Sequence, residues 1–274
     1  MAFSVAGTGV AGLLLAVRRP LAVLAWSAMA FAFTLLTVLG VVLVVAPDSR
    51  LMGAYETLSG GQMLSFALRV LGVFLLVNLG AAAVINSAVY RAVLRPDERR
   101  FAYLRLGRDE LRVAGVLALF SVAGALNLVL LVMLPGFFKL FGLLASIWFW
   151  TRISLAGPMA FATGRIQLKA AWARTAGRFW NLLGAYLISW VLAFIVLLVA
   201  GLLSQVVALA MGLTVEIAVP DAATQSAGAV GGAAIVNLVI GSLMAGLFYA
   251  IMAAPTAVAW RAFTPTVDIS ETFA

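Results

Sequence analysis

Residues 113–134 read VAGVLALFSVAGALNLVLLVML, residues 135 and 136 are Pro-Gly, and residues 137–152 read FFKLFGLLASIWFWTR. The first stretch runs 22 residues without a charge. At 1.5 Å per residue it makes about 33 Å of helix, enough to cross a ~30 Å hydrocarbon core. The Pro-Gly pair then turns the chain, and a second apolar segment starts near Leu140. Read together they predict a hairpin of two membrane spans.

Working outward, the same length criterion finds six spans, at about 21–46, 65–90, 113–134, 140–162, 182–211 and 231–258. Pro20 suits the first turn of the first one. Composition agrees. The chain is 65% hydrophobic and only 10% charged, against about 45–50% and 25% in soluble domains, and its mean hydropathy is +1.14. These figures exclude an ordinary soluble domain, a disordered chain and a disulfide scaffold. The predicted fold is all-α: a polytopic membrane bundle forming one transmembrane domain over residues 1–274, with six spans as three in–out–in hairpins. Short interfacial helices complete it. Residues 3–18 are read as one, with Phe3, Val10, Leu14 and Val17 on one face and Ser4, Thr8 and Arg18 on the other. No basic stretch precedes the first apolar residues, so a cleaved signal peptide is not expected.

The few charges set orientation. Fourteen of the 18 basic residues fall in one set of connections, including Arg18, Arg19, the seven arginines from Arg91 to Arg112, Arg174, Arg178 and Arg261. Only Arg50 and Lys139 fall in the other set, while Arg69 and Arg152 lie within spans. The positive-inside rule then places both termini in the cytoplasm of a bacterial inner membrane. Because the basic residues adjoin apolar spans, the net charge of +8 points to anionic lipid headgroups rather than nucleic acid.

The chain has no Cys and no His, and its ten acids lie outside the apolar stretches. Disulfides, thiolate or imidazole chemistry and Cys/His metal sites are excluded. A proton relay normally needs an intramembrane carboxylate or His. No catalytic residue, metal site or cofactor is expected, and no nucleophile–base constellation suggests an enzyme.

Several residues remain as candidates. Twelve residues from Leu140 to Thr151 give only about 18 Å of helix. The fourth span must therefore continue past Arg152 toward Pro158, which sets Arg152 inside the membrane boundary. It either binds an anionic headgroup or substrate, or snorkels to the interface. Residues 166–180 read as a basic amphipathic helix, with Leu168, Trp172, Thr175 and Phe179 on one stripe and Arg174 and Arg178 opposite. It either recognises anionic lipid or positions the fifth span. The loop Arg91–Arg112 is the sizeable basic-side loop. It is either a solvated topology signal or the surface for a cytoplasmic protein partner. Asn127, Gln205 and Asn237 project into the outer half of the bilayer. They either line an outer polar cavity or glue helices together. Ser242, Gly246, Ala250 and Ala254 form a small-residue stripe, suited to the bundle interior or to the seam of a homo-oligomer.

One stretch resembles a known pattern. Arg152-Ile-Ser-Leu-Ala-Gly-Pro158 and Ala171-Trp172-Ala-Arg-Thr-Ala-Gly177-Arg-Phe-Trp180-Asn-Leu-Leu-Gly184 are similar to bacterial polytopic membrane proteins related to the membrane domain found beside some glycerophosphodiester phosphodiesterases. The resemblance covers roughly 35 residues, together with Arg18-Arg19-Pro20 as layout. In those enzymes catalysis sits on a separate barrel with His and metal-binding carboxylates, and this chain has no His. The resemblance therefore implies the membrane module without the catalytic domain. The expected function is a non-enzymatic accessory or scaffold for envelope or lipid processes, contacting anionic lipid through Arg152, Arg174 and Arg178. The alternative is a small transporter or flippase for a lipid-like or amphiphilic substrate.

Overall fold

The computed structural model describes residues 3–45, 60–98, 100–212 and 227–264. Arg99 and the connections holding Asp48, Arg50, Glu56, Glu216 and Asp221 lie outside them, as do Asp268 and Glu271. The described chain is helical throughout, with α1 (Val5–Gly9), α2 (Ala11–Arg18), α3 (Pro20–Val45), α4 (Gly60–Leu94), α5 (Arg108–Met133), α6 (Phe138–Ile153), α7 (Ala156–Thr163), α8 (Leu168–Arg174), α9 (Phe179–Ala210) and α10 (Ala227–Phe263). Six helical stretches are long and apolar enough to cross a membrane. The protein is a multi-pass helix bundle.

Local chemistry sets the boundaries. Asp109 and Glu110 lie in the first turn of α5, where negative charge favours the helix dipole. Pro135 and Gly136 accept from the backbone of Phe138 and Lys139 and close the turn to α6. The fourth span does continue past Arg152. α6 and α7 form one bent 26-residue span, Phe138–Thr163. The bend falls at Ser154–Leu155, and Pro158, lacking an N–H, cannot bond the carbonyl of Ser154. Gly164 ends α7 at φ +70°, a conformation that suits glycine.

The helices touch through small side chains. In α9 the buried positions include Ala185, Ser189, Ala193, Ala200, Ser204 and Ala208, of which Ala200 and Ala208 pack on Val236 and Ile240 of α10, while Ala250, Ala253, Ala254 and Ala257 of α10 pack with Trp26, Ile85 and Ala88 of α3 and α4. Lipid tails are as apolar as leucine, so close packing rather than water exclusion holds spans together, and small residues allow it. The Ser242–Ala254 stripe is thus bundle interior. Gly246 presses on Val23 and Ser27 of α3, and Ser27 donates to the Leu243 carbonyl at 2.6 Å.

Packing is uneven along the membrane axis. Two large buried clusters, around Trp26, Tyr90 and Phe161 and around Leu155, Met159 and Trp260, occupy the arginine-rich end. Toward the other end the described residues form a small cluster of Ala200, Ala208, Val236 and Ile240. There α5 and α6 expose Leu126, Leu128, Leu130, Leu140 and Leu144. The α5–α6 hairpin is joined to the bundle mainly at its basic end, through α4 and α7.

Two expectations are corrected here. Residues 3–18 are not one continuous helix. They form α1 and α2, bent at Val10, wedged between α9 and α10. Thr8, Gly9 and Gly12 are buried, while Leu14 and Val17 are exposed. The cause is backbone contact. A Cβ on Gly12 would overlap Ala250 and Ile251, and Ser189 Oγ donates to the Gly9 carbonyl at 3.1 Å. Residues 166–180 are likewise not one helix. α8 ends at Arg174, and Gly177 at φ +71° breaks the run before α9. Ala171 and Thr175 are fully buried, whereas Leu168 is exposed.

Candidate functional site

The basic end contains a closed electrostatic knot. Arg91, 2% exposed, donates to the Tyr103 carbonyl and pairs with Glu110, 5% exposed, at 2.5 Å. Its guanidinium lies 5.3 Å from the Phe161 ring centre, and Glu98 is 3.7 Å from Nε. The loop reaches this position through positive φ at Phe101, Ala102 and Tyr103. It is pinned there by Trp26 Nε1 donating to the Ala102 carbonyl at 2.9 Å. The sequence reading of Arg91–Arg112 as a solvated loop is corrected to this extent: Arg91, Tyr103 and Glu110 are core. Arg95, Glu98, Arg105, Asp109 and Arg112 form the more exposed pairs around them. Phe101, Leu106 and Leu111 project outward.

Arg152 is different in kind. Its guanidinium lies 4.8 Å from the Trp172 ring centre and 5.9 Å from that of Trp148. Its Nε is buried without a hydrogen-bond partner, and no carboxylate of a described residue pairs with it. Thr175 Oγ1 donates to the Arg152 carbonyl at 2.9 Å and locks α8 against α6. Trp148 and Phe149 beside it are 47% and 40% exposed, so this face of α6 looks out of the bundle. The site is a cation set beside an edge-to-face pair of indoles, whose ring centres are 5.0 Å apart, with its Nε donor unspent. Cation–π contact holds such a group without neutralising it, and an arginine fork suits a phosphate bidentately.

Arg174 and Arg178 do not join it. Arg174 stacks on Trp260 at 4.5 Å and donates to Thr264 Oγ1 at 3.3 Å, while Arg178 lies 4.3 Å from the Phe263 ring centre. They are two arms on the end of α10.

The three polar residues read as either lining an outer cavity or gluing helices together separate. Asn127 lines a cavity of about 570 Å³ between the α5–α6 hairpin and α9–α10, but Gln205 and Asn237 do not line it. Both are exposed on their helices. The cavity's other polar side chains are the hydroxyls of Ser146, Thr151, Ser154, Tyr186, Ser189 and Thr256 and the indoles of Trp150 and Trp190. Ser146 Oγ donates within reach of Asn127 Oδ1 at 2.8 Å, and the Ser154 and Tyr186 hydroxyls are 2.7 Å apart. Sequence reading passed over Ser146, Thr151, Ser154 and Tyr186. The available signal was spacing along α6, where Ser146 and Ser154 fall with Trp150 on one helical face.

Comparison with family models, with curated proteins and with solved structures finds no match to this chain.

Proposed function

We propose that this multi-pass protein is a non-enzymatic accessory or scaffold in envelope or lipid processes, and that it holds anionic lipid at its basic end. The observation that carries the reading is Arg152, half-buried beside Trp148 and Trp172 with Nε buried and unbonded and no carboxylate of a described residue paired with it. A cation in such a setting at a membrane boundary is costly unless an anion satisfies its donors. A lipid phosphate reaches it from the bilayer. Arg174 and Arg178 supply weaker, more solvated contacts. The resemblance of the Arg152–Pro158 and Ala171–Gly184 segments to a bacterial membrane module supports the same role. Any protein partner at the Arg91–Arg112 loop would meet its outer face, at Phe101, Arg105, Leu106 and Leu111.

The test is lipid retention by native mass spectrometry after purification from phosphatidylglycerol-containing nanodiscs. Arg152→Gln should lower retention about tenfold or more, the worth of one charge-assisted hydrogen-bond pair. Arg152→Lys should recover only part, since an ammonium neither forks nor stacks in the same way. The Arg174→Ala/Arg178→Ala double variant should show a smaller loss. Retention unchanged in Arg152→Gln would sink the reading.

The reading also places the basic end on the cytoplasmic side of a bacterial inner membrane. Reporter fusions after residue 100 and after residue 220 should report cytoplasm and exterior, respectively. The reverse pattern would invert the orientation.

A further inference from the structure

The cavity between the α5–α6 hairpin and α9–α10 differs chemically from the Arg152 site. Protein interiors are packed as densely as organic crystals, with few voids larger than a water. A space of about 570 Å³ is instead the size of small-molecule sites, about 300–1,000 Å³. It arises because Ser146, Ser154, Ser189 and Thr256 stand where larger apolar side chains would close the gap. Ser146 and Ser154 are eight residues apart, so the cavity follows α6 for about 12 Å. Leu143, Ile147, Leu187 and Trp190 line it and are 39–59% exposed. The cavity therefore communicates sideways with the surroundings of the bundle, which at this depth are acyl chains.

Its polar groups are selective. No ionisable acid or base lines it, so a charged headgroup would be buried without a counter-charge. Most of the hydroxyl protons are committed. Thr151 donates to Ile147, Ser154 to Thr151, Ser189 to Gly9, and Thr256 to Ala253. With the Ser154 proton spent on Thr151, the Ser154–Tyr186 contact is satisfied by Tyr186 donating. What this end offers a ligand is oxygen lone pairs, which accept from a hydroxyl donor. At the other end the Ser146 hydroxyl lies 2.6 Å from the Gly142 carbonyl and 2.8 Å from Asn127 Oδ1, and the Asn127 amide N–H groups can face a carbonyl.

We propose that this cavity binds an uncharged lipid with a free hydroxyl and an acyl chain, of the mono- or diacylglycerol class. The hydroxyl donates to the Ser154–Tyr186 pair, and the chain lies among Leu143, Ile147, Leu183 and Leu187. The site goes beyond the anionic-lipid reading and uses none of its residues.

The experiment is photocrosslinking in nanodiscs with a diazirine-bearing diacylglycerol, mapped by peptide mass spectrometry. Adducts are expected on peptides covering 143–154 and 183–190, and excess unlabelled diacylglycerol should remove them. Labelling should fall about fivefold in Tyr186→Phe, the loss of one hydrogen bond. It should vanish in Ser146→Phe, which fills the cavity. Arg152→Gln should leave it unchanged. A diazirine phosphatidylglycerol labelling the same peptides equally, or adducts that resist competition, would overturn the proposal. So would labelling that persists undiminished in both Tyr186→Phe and Ser146→Phe; should Ser146→Phe fail to fold, Tyr186→Phe alone decides.

Discussion

Replacing Glu110 with Ala should cost about 3–5 kcal/mol of stability, the usual penalty for stranding one partner of a buried ion pair. Arg91 is 2% exposed and Glu110 5% exposed. Without Glu110 the guanidinium keeps the Tyr103 carbonyl, the Phe161 ring and a 3.7 Å approach to Glu98. None of these replaces a carboxylate at 2.5 Å. Detergent-solubilised Glu110→Ala should therefore unfold at markedly lower temperature or denaturant than the parent. Arg91→Met/Glu110→Leu should recover most of the loss, because a hydrophobic pair carries no desolvation penalty. Glu110→Gln should fall between, keeping an acceptor but no charge. If Glu110→Ala melts with the parent, the knot is not holding α4 to α5. The pair joins two neighbouring spans at the end where the core is thickest, so its loss should also loosen the Arg100–Tyr103 turn that rests on it.

Gly12→Val should undock the N-terminal wedge. The added side chain would meet the Ala250 and Ile251 backbone, which belongs to the interior of α10 and cannot swing aside. Overpacking typically costs about 1–3 kcal/mol, and a clash with backbone belongs at the upper end. The native chain has no Cys, so a single reporter thiol reads the result without background. Thr8 is 2% exposed. Thr8→Cys should resist a maleimide in the parent and react readily in the Gly12→Val background. Equal protection in both would show that α2 does not depend on this contact.

These two sites also show where sequence reasoning stops in a membrane protein. The six spans were legible because span length is dictated by bilayer thickness, and α3, α5 and α9 start and stop within a few residues of the apolar runs. Which face of each helix points inward was not. In water, the apolar face of an amphipathic helix marks the core; in lipid, leucine serves both surroundings. Thus Phe3, Val10, Leu14 and Val17 marked the apolar face of an interfacial helix, while the face that docks on the bundle is Thr8, Gly9 and Gly12. The serine, alanine and glycine spacings of α9 and α10 held the better signal. Arg91 and Glu110 looked like members of a charged loop because burial of an ion pair depends on how the loop folds back. The positive φ values at Phe101–Tyr103 that achieve it have no sequence signature of the usual Gly or Asn kind.

At the candidate sites the same limit applies. Arg152 stood out because its span is too short without the residues beyond it, an argument of length. Its two indole neighbours come from α6 itself and from α8, and only the second needed the fold. Asn127, Gln205 and Asn237 were grouped by depth in the bilayer, but depth leaves rotation about each helix axis undetermined. Asn127 turns toward the hairpin cavity, and the other two do not line it.

The central claim is that Arg152 holds the phosphate of a membrane lipid. A cryo-EM structure in nanodiscs containing phosphatidylglycerol tests it most directly. The account predicts lipid phosphate density within hydrogen-bonding distance of the Arg152 guanidinium, with Trp148 and Trp172 still against it, and no such density in Arg152→Gln. Ordered lipid elsewhere on the bundle with none at Arg152, or Arg152 turned onto a protein carboxylate, would contradict it.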